Sequence, residues 1–186
     1  MRDRELEVQV AKLSKKLVAI AAKDVAASTS SALTKIARKV KTRIVRGVAK
    51  SEKLPNKVIN RKIFVKGSTI TKQKSKLTIY RDDISVVSLL SKATIANKIG
   101  TGTNRKGVAV RGRQFQGAFI QRAFGATQVF RREGQARNPI EKVTIPIDDA
   151  VDRIAPVVTR RIYQKDFLPE VKRELTFRLN KRLSKK

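Results

Sequence analysis

The chain has 186 residues, 40% of them hydrophobic and only 5% aromatic, which is material for one modest core. Its 44 basic and 15 acidic residues, with no histidine, give a formal charge of +29. So large an excess calls for an anionic counterpart, whether nucleic acid, an acidic protein or an anionic membrane surface. The absence of cysteine excludes disulfides, thiolate metal sites and cysteine nucleophiles, and agrees with assembly in a reducing cytoplasm.

Leu6, Val10, Leu13, Leu17 and Ile20 recur at three- and four-residue steps, the apolar stripe of an amphipathic helix. The run Leu17 to Ala22 is too short and too soon interrupted by Lys23 and Asp24 to be a signal peptide or membrane span. A second stripe follows at Leu33, Ile36, Ala37, Val40, Ile44 and Val48. Between the two, Ser28-Thr29-Ser30-Ser31 can break the helix, with Ser30 or Ser31 capping a second one. A single long helix fits equally well.

Pro55 suits the first turn of a short helix over roughly Asn56 to Lys62, closed by Gly67-Ser68. Lys72, Lys74 and Lys76 then alternate with Thr71, Gln73 and Ser75 ahead of Leu77-Thr78-Ile79-Tyr80-Arg81, which reads as a strand leaving a charged loop. These lysines suit a phosphate backbone, and equally the blunting of an exposed sheet edge. Residues 91–107 carry few large apolar side chains and read as a long loop or arm. Its glycines at 100, 102 and 107 fit neither nucleotide pattern, because Arg105 replaces the third glycine of the dinucleotide fingerprint and no Gly-Lys-Ser/Thr ending follows.

From Gly107 to Ile147 the pattern has period two. Phe115 to Ile120 and Thr127 to Arg132 read as two strands of a hairpin, and Val143, Ile145 and Ile147 fall on one face of a further strand. Glu133-Gly134-Gln135 and Asn138-Pro139 supply turns. Arg111, Arg113, Arg122, Arg131, Arg132 and Arg137 are spread through this sheet, and their planar guanidinium groups suit phosphate or carboxylate. Each also reads as an ordinary solvated cation.

Asp148, Asp149 and Asp152 precede the apolar-periodic Ala150, Ile154, Val157 and Val158, so they read as helix-start residues complementing the dipole and not as a metal cluster. A kink is expected at Pro156, and Pro169 fits the first turn of a last helix bearing Val171, Leu175, Leu179 and Leu183. Nothing in the chain assembles an acid–base pair, an activated nucleophile or a cofactor motif. The sequence therefore assigns no catalytic, cofactor-binding or metal residues and reads as a non-enzyme.

The expected fold is α+β, with long N-terminal amphipathic helices, a central antiparallel sheet of about four strands, and C-terminal helices. Residues 1–52 form the N-terminal helical region, 53–147 the basic loop and sheet region, and 148–186 the C-terminal helical region of one domain with extensions.

The segments Arg113-Gln114-Phe115-Gln116-Gly117-Ala118-Phe119-Ile120-Gln121, Val129-Phe130-Arg131-Arg132 and Ala136-Arg137-Asn138-Pro139-Ile140-Glu141-Lys142-Val143-Thr144-Ile145-Pro146 resemble, in wording and spacing, the minor tail protein Z family. These are tail completion proteins of lambda-like long-tailed bacteriophages. Weaker likeness extends over nearly the whole chain, to the Leu-Pro-Glu at 168–170. Ala126-Thr127-Gln128 departs from the family's more polar turn, so no contact is carried over there.

The resemblance implies a virion protein that completes the head-proximal end of the tail and supports head–tail joining. Its implied partners are tail terminator and tail tube proteins, head–tail connector proteins, further copies of itself (a ring being one form) and phage DNA without sequence preference. No membrane and no cofactor are implied. The residues assigned to DNA or an acidic partner are Lys72, Lys74, Lys76, Arg81, Arg105, Lys106, Arg111, Arg113, Arg122, Arg131, Arg132 and Arg137. The competing readings are a general basic nucleic-acid-binding or architectural protein and a purely protein–protein neck adaptor.

Overall fold

A computed structural model describes residues 2–99, 107–123, 125–132 and 139–184. Within the first twenty residues it describes the side chains of Ser14, Lys15 and Val18. The fold is α+β, as the patterning requires. Its elements in order are α1 (Arg2–Ser51), α2 (Asn56–Asn60), β1 (Ile63–Lys66), β2 (Lys76–Ile79), β3 (Ile84–Ser85), a 3-10 turn (Val86–Leu89), α3 (Lys92–Lys98), β4 (Val108–Val110), β5 (Arg113–Phe115), β6 (Phe119–Ala123), β7 (Ala126–Arg132), β8 (Ile140–Lys142), β9 (Thr144–Ile145) and α4 (Asp148–Leu183).

The Ser/Thr run does not break α1, which continues as one helix of 50 residues. Its hydroxyls bond back to their own helix: Thr29 Oγ1 donates to the Val25 carbonyl at 2.9 Å and Thr34 Oγ1 to the Ser30 carbonyl at 3.1 Å. The early stripe from Leu6 to Ile20 lies on this helix, but its side chains fall outside the described residues.

The chain divides into two compact units. The first comprises Met1–Thr42, Phe64–Thr78 and Val157–Lys186. Here α1 and α4 run antiparallel and are joined by a ladder of polar contacts. Lys39 pairs with Asp166 at 2.8 Å, Lys35 bonds Glu174 and lies 3.4 Å from Glu170, Arg178 donates to Ser31 Oγ at 3.0 Å, and Arg182 donates to Asp24 at 2.9 Å. Among the described residues, Ala27, Ala32, Ile36, Val40 and Ile162 are the buried apolar residues of this unit.

Contacts on both sides of Pro169 hold α4 on course, so it continues as one helix where a new start was expected. The helix likewise passes through Pro156. A proline inside a helix costs about 3 kcal/mol, and the half-exposed Lys39–Asp166 and Lys35–Glu170 pairs on either side of Pro169, at about 0–1 kcal/mol each, offset part of it.

The second unit comprises Arg43–Ile63 and Ile79–Pro156. Ile44, Val48, Ile59, Ile63, Val86, Ile120, Val129, Ile145, Ile147 and Val151 are almost completely buried and form its core. Gly47 lets α1 approach α4 closely, since a Cβ there would lie 2.9 Å from Ile154 Cγ2. The strands form small antiparallel sheets, β3 with β9, β4 with β5, and β6-β7-β8, in place of one central sheet; β1 and β2 pair separately.

Three local expectations change. β1 follows α2 directly, where Gly67-Ser68 had been read as the first break. The expected arm over 91–107 holds the short helix α3, because Ser91 Oγ accepts the Thr94 N–H at 3.1 Å as an N-cap; residues 100–106 lie outside the described residues. Finally, Phe115 to Ile120 is not one strand. Gly117 takes φ +67°, so Arg113–Phe115 pairs back on β4 while Phe119–Ala123 pairs with β7.

The face assignment of the last strand segment holds, with Val143, Ile145 and Ile147 buried and Lys142 and Pro146 exposed. Asp148 and Asp149 occupy the first turn of α4.

Candidate functional site

In the first unit, the residues linking β1 to β2 present Lys72 and Lys74, and Lys76 opens β2; all three are exposed. This link is fastened to α1 through Thr34, whose Oγ1 accepts the Ser68 N–H at 3.0 Å. Gly67 lies so near that a Cβ would stand 3.1 Å from the Thr34 methyl. A turn is closed by the Thr69 N–H bonding the Lys72 carbonyl at 3.0 Å, with Thr69 Oγ1 accepting the Lys72 N–H at 3.0 Å.

In the second unit, Arg111 and Gly112 form the two-residue turn between β4 and β5, with φ +52° and +76°. Positive φ at both central residues marks the type I′ hairpin turn, which ordinarily takes Asn-Gly. Arginine there accepts left-handed backbone strain and is exposed at the tip.

Arg113, two residues on, has a different job. Its guanidinium donates to the Glu52 carbonyl at 2.9 Å and to the Glu52 carboxylate at 3.1 Å, tying β5 to the residue that follows α1. A cation at a helix C-terminus is also favoured by the helix dipole.

The three-stranded sheet splits the remaining arginines. Arg122 pairs across the ladder with Thr127, Ile120 with Val129, and Arg131 with Glu141, so Arg122 and Arg131 share one face. Arg132 belongs to the other, with its guanidinium 5.7 Å from the centre of the Phe119 ring, a cation–π contact. Adjacent strand residues cannot serve one surface, so Arg131 and Arg132 do not act side by side. Arg131 Nε bonds Glu141 at 3.1 Å, and Arg81 is held in a bidentate pair with Asp152 at 2.6 and 3.1 Å.

Thus Arg81, Arg113 and Arg131 are each committed to a carboxylate within the chain. Lys72, Lys74, Lys76, Arg111 and Arg122 are exposed with no ion-pair partner among the described residues. Arg105, Lys106 and Arg137 lie outside the described residues.

Two ionisable groups are shifted by their partners. The hydrogen bond to Glu174 raises the Lys35 ammonium above its ordinary value, with Glu170 adding to it. The hydrogen bond from Lys62 at 3.0 Å lowers the Asp82 carboxyl. Among the described residues no group of His, Cys, Asp and Glu is placed to hold a metal ion, and no helix is long and apolar enough to cross a membrane.

Sequence reasoning missed the outer side of α4, where Arg160, Arg161 and Lys165 stand exposed beside Val157 and Gln164 along a shallow groove. A signal was present. Asp166, Glu170, Glu174, Arg178 and Arg182 recur every four residues, which places them on one helix face, the face that meets α1.

A strongly basic α+β protein, with paired long helices and cationic hairpin tips, is the class this fold and site define. The sequence profile of prophage minor tail protein Z (GPZ) matches residues 10–185, and the chain belongs to that family. It is similar to a tail completion protein of Escherichia phage N15, with 28% identity over 127 residues covering 64% of this chain and 67% of that one. It is therefore a structural protein of a phage tail. No solved structure matches it.

Proposed function

We propose that this protein completes the head-proximal end of the tail and supports its joining to the head. In this reading several copies gather at the neck, with cations of the two hairpin regions turned toward the DNA that enters the tail.

The observation that carries the DNA-facing part is the division among the candidate cations. Lys72, Lys74, Lys76, Arg111 and Arg122 are exposed without a carboxylate, whereas Arg81, Arg113 and Arg131 are neutralised locally. An unpaired cation on a fastened turn can meet a phosphate without first breaking an internal bond. Duplex DNA presents one phosphate per about 1.7 Å of axis, so such contacts are strong at low salt and indifferent to sequence. The chemistry involved is positioning and electrostatics, and the protein acts as a non-enzyme.

The neck-adaptor reading is favoured by one observation of its own. Arg81, Arg113 and Arg131 show the cations of this chain already meeting carboxylates, as they would at an acidic neighbour.

The test replaces Lys72, Lys74, Lys76, Arg111 and Arg122 together by glutamine in the phage. The expected result is tails of normal length that join heads but deliver DNA poorly. Unaltered infectivity would overturn the DNA-facing role, and loss of joining with DNA delivery intact in the remaining particles would favour the adaptor. A general nucleic-acid-binding protein would instead bind duplex DNA as the isolated chain, with a steep salt slope and no need of a tail.

A further inference from the structure

The C-terminal part of α4 holds its carboxylates against α1 and leaves several large apolar residues exposed. An amphipathic helix ordinarily shows its charges to water and its leucines to its neighbour. From Val157 onward, however, every carboxylate of α4 is directed at α1: Asp166 at Lys39, and Glu170 and Glu174 at Lys35. Arg178 and Arg182 face the same way, toward Ser31 and Asp24.

Ile162 is buried and Val158, Val171 and Leu175 are half-buried, while other apolar residues of this segment stand exposed. Val157, Leu168 and Leu179 are 65%, 66% and 46% exposed, and Leu183 is 71% exposed. Val157, Leu168 and Leu179 recur at a spacing of eleven, close to three helical turns, so they lie on one line. Arg161 and Lys172, also eleven apart, run beside that line, with Lys165 between them; all three are exposed. The face extends for about 39 Å along the helix axis at a rise of 1.5 Å per residue.

We infer that this face seats an acidic amphipathic helix of a different protein of the particle. The inference rests on the tail reading above and adds to it the chemistry of one neighbour. Exposed leucines in line call for apolar cover, and the cations beside them call for carboxylates at the edge of that cover.

A second copy presenting its own α4 does not meet the requirement. It would set Arg161, Lys165 and Lys172 against their own counterparts, and the carboxylates of its α4 beyond Val157 are already held by lysines. Duplex DNA would satisfy the cations but leave the leucines in water. An acidic amphipathic helix satisfies both.

The experiment places the photo-crosslinker p-benzoylphenylalanine at Leu168 or at Leu179 in the full chain, assembles phage, irradiates purified particles and maps the adducts by mass spectrometry. A crosslinker at Lys181, on another side of α4, is the control. The expected adduct joins positions 168 and 179 to an acidic helical segment of another virion protein. Its yield should fall about tenfold when Arg161→Glu and Lys172→Glu are added, the equivalent of losing two interfacial charge contacts. Circular dichroism of each variant confirms that α4 remains helical.

Adducts to a second copy, to phospholipid or to DNA would overturn the inference, as would no adduct or a yield no higher than at Lys181. A particle that contains the chain but shows none of the expected adducts removes only this inference. Purified particles of the unsubstituted phage that lack the chain would remove the tail reading itself.

Discussion

Arg113 separates an anchoring cation from a DNA-facing one, and Arg113→Ala should act on stability. Its two hydrogen bonds reach the Glu52 carbonyl at 2.9 Å and carboxylate at 3.1 Å, with the arginine side chain 35% and the glutamate side chain 22% exposed. A hydrogen bond to a charged group contributes about 1.5–3 kcal/mol when buried, and an exposed ion pair contributes about 0–1 kcal/mol. Partial exposure places this site between the two, at about 2 kcal/mol in total. For a chain of this size each kcal/mol moves the thermal midpoint by about 2–4 °C, so a fall of about 4–8 °C is expected by circular dichroism. Arg113→Lys should recover only part of it, because an ammonium lacks the fork that spans both acceptors. DNA delivery by particles carrying the variant should be unchanged at temperatures where it is folded. A midpoint within 1 °C of the parent, or a loss of DNA delivery without a loss of stability, would refute the anchoring role.

Two further outcomes follow from the backbone geometry of this hairpin. Gly107→Ala should destabilise the β4–β5 hairpin by more than about 2 kcal/mol: Gly107 has φ +62°, a left-handed conformation costly for alanine, and its added Cβ would stand 1.9 Å from the Phe115 carbonyl oxygen. Thermal melting or amide exchange of β4 checks it. Arg111→Asn should raise stability by about 0.5–1 kcal/mol, since asparagine tolerates the left-handed backbone at φ +52° that arginine resists, while weakening DNA delivery by the assembled particle; lower stability would show that the arginine side chain holds the turn.

The two shifted groups set opposite limits on pH stability. The raised Lys35 contributes fully below its ordinary 10.5 and loses that contribution as pH rises through its higher folded value. The lowered Asp82 contributes above its ordinary 3.8 and loses its contribution as pH falls through its lower folded value. Glu174→Gln should therefore flatten the alkaline limb of the melting-temperature profile and Lys62→Met the acid limb, each leaving the other limb in place.

How much was legible in the chain depended on the range of the signal. The α+β class, the two long helical regions, β2 and the buried face of Val143, Ile145 and Ile147 follow from local periodicity and were readable. Breaks were harder. The serine and threonine run fitted a helix stop and a continuous helix equally, and α1 continues through it with threonine hydroxyls bonded back to carbonyls of their own helix, while α4 continues through Pro169 where it is paired with α1. Gly117 interrupts a stretch whose apolar alternation continues across it, so the partner of Arg113–Phe115 could not be read from period two.

The candidate site was legible as a set of cations but not as their assignments. Whether Arg113 faces solvent or Glu52 depends on a partner 61 residues away, and Arg131 meets Glu141 through sheet register. Of the cations assigned from the sequence, Lys72, Lys74, Lys76, Arg111 and Arg122 are exposed without an ion pair among the described residues, and Arg132 is exposed beside the Phe119 ring. The four-residue recurrence from Asp166 to Arg182 was present in the sequence, and its meaning appeared only when α1 was set against it.

An averaged image of the head–tail junction in phage particles, with this subunit located by a tag, tests the central claim most directly. The account predicts density at the head-proximal end of the tail, with the link between β1 and β2 and the Arg111 turn directed at the channel that holds DNA. The subunit located at the distal tip, or at the neck with both cationic turns directed away from DNA, would contradict it.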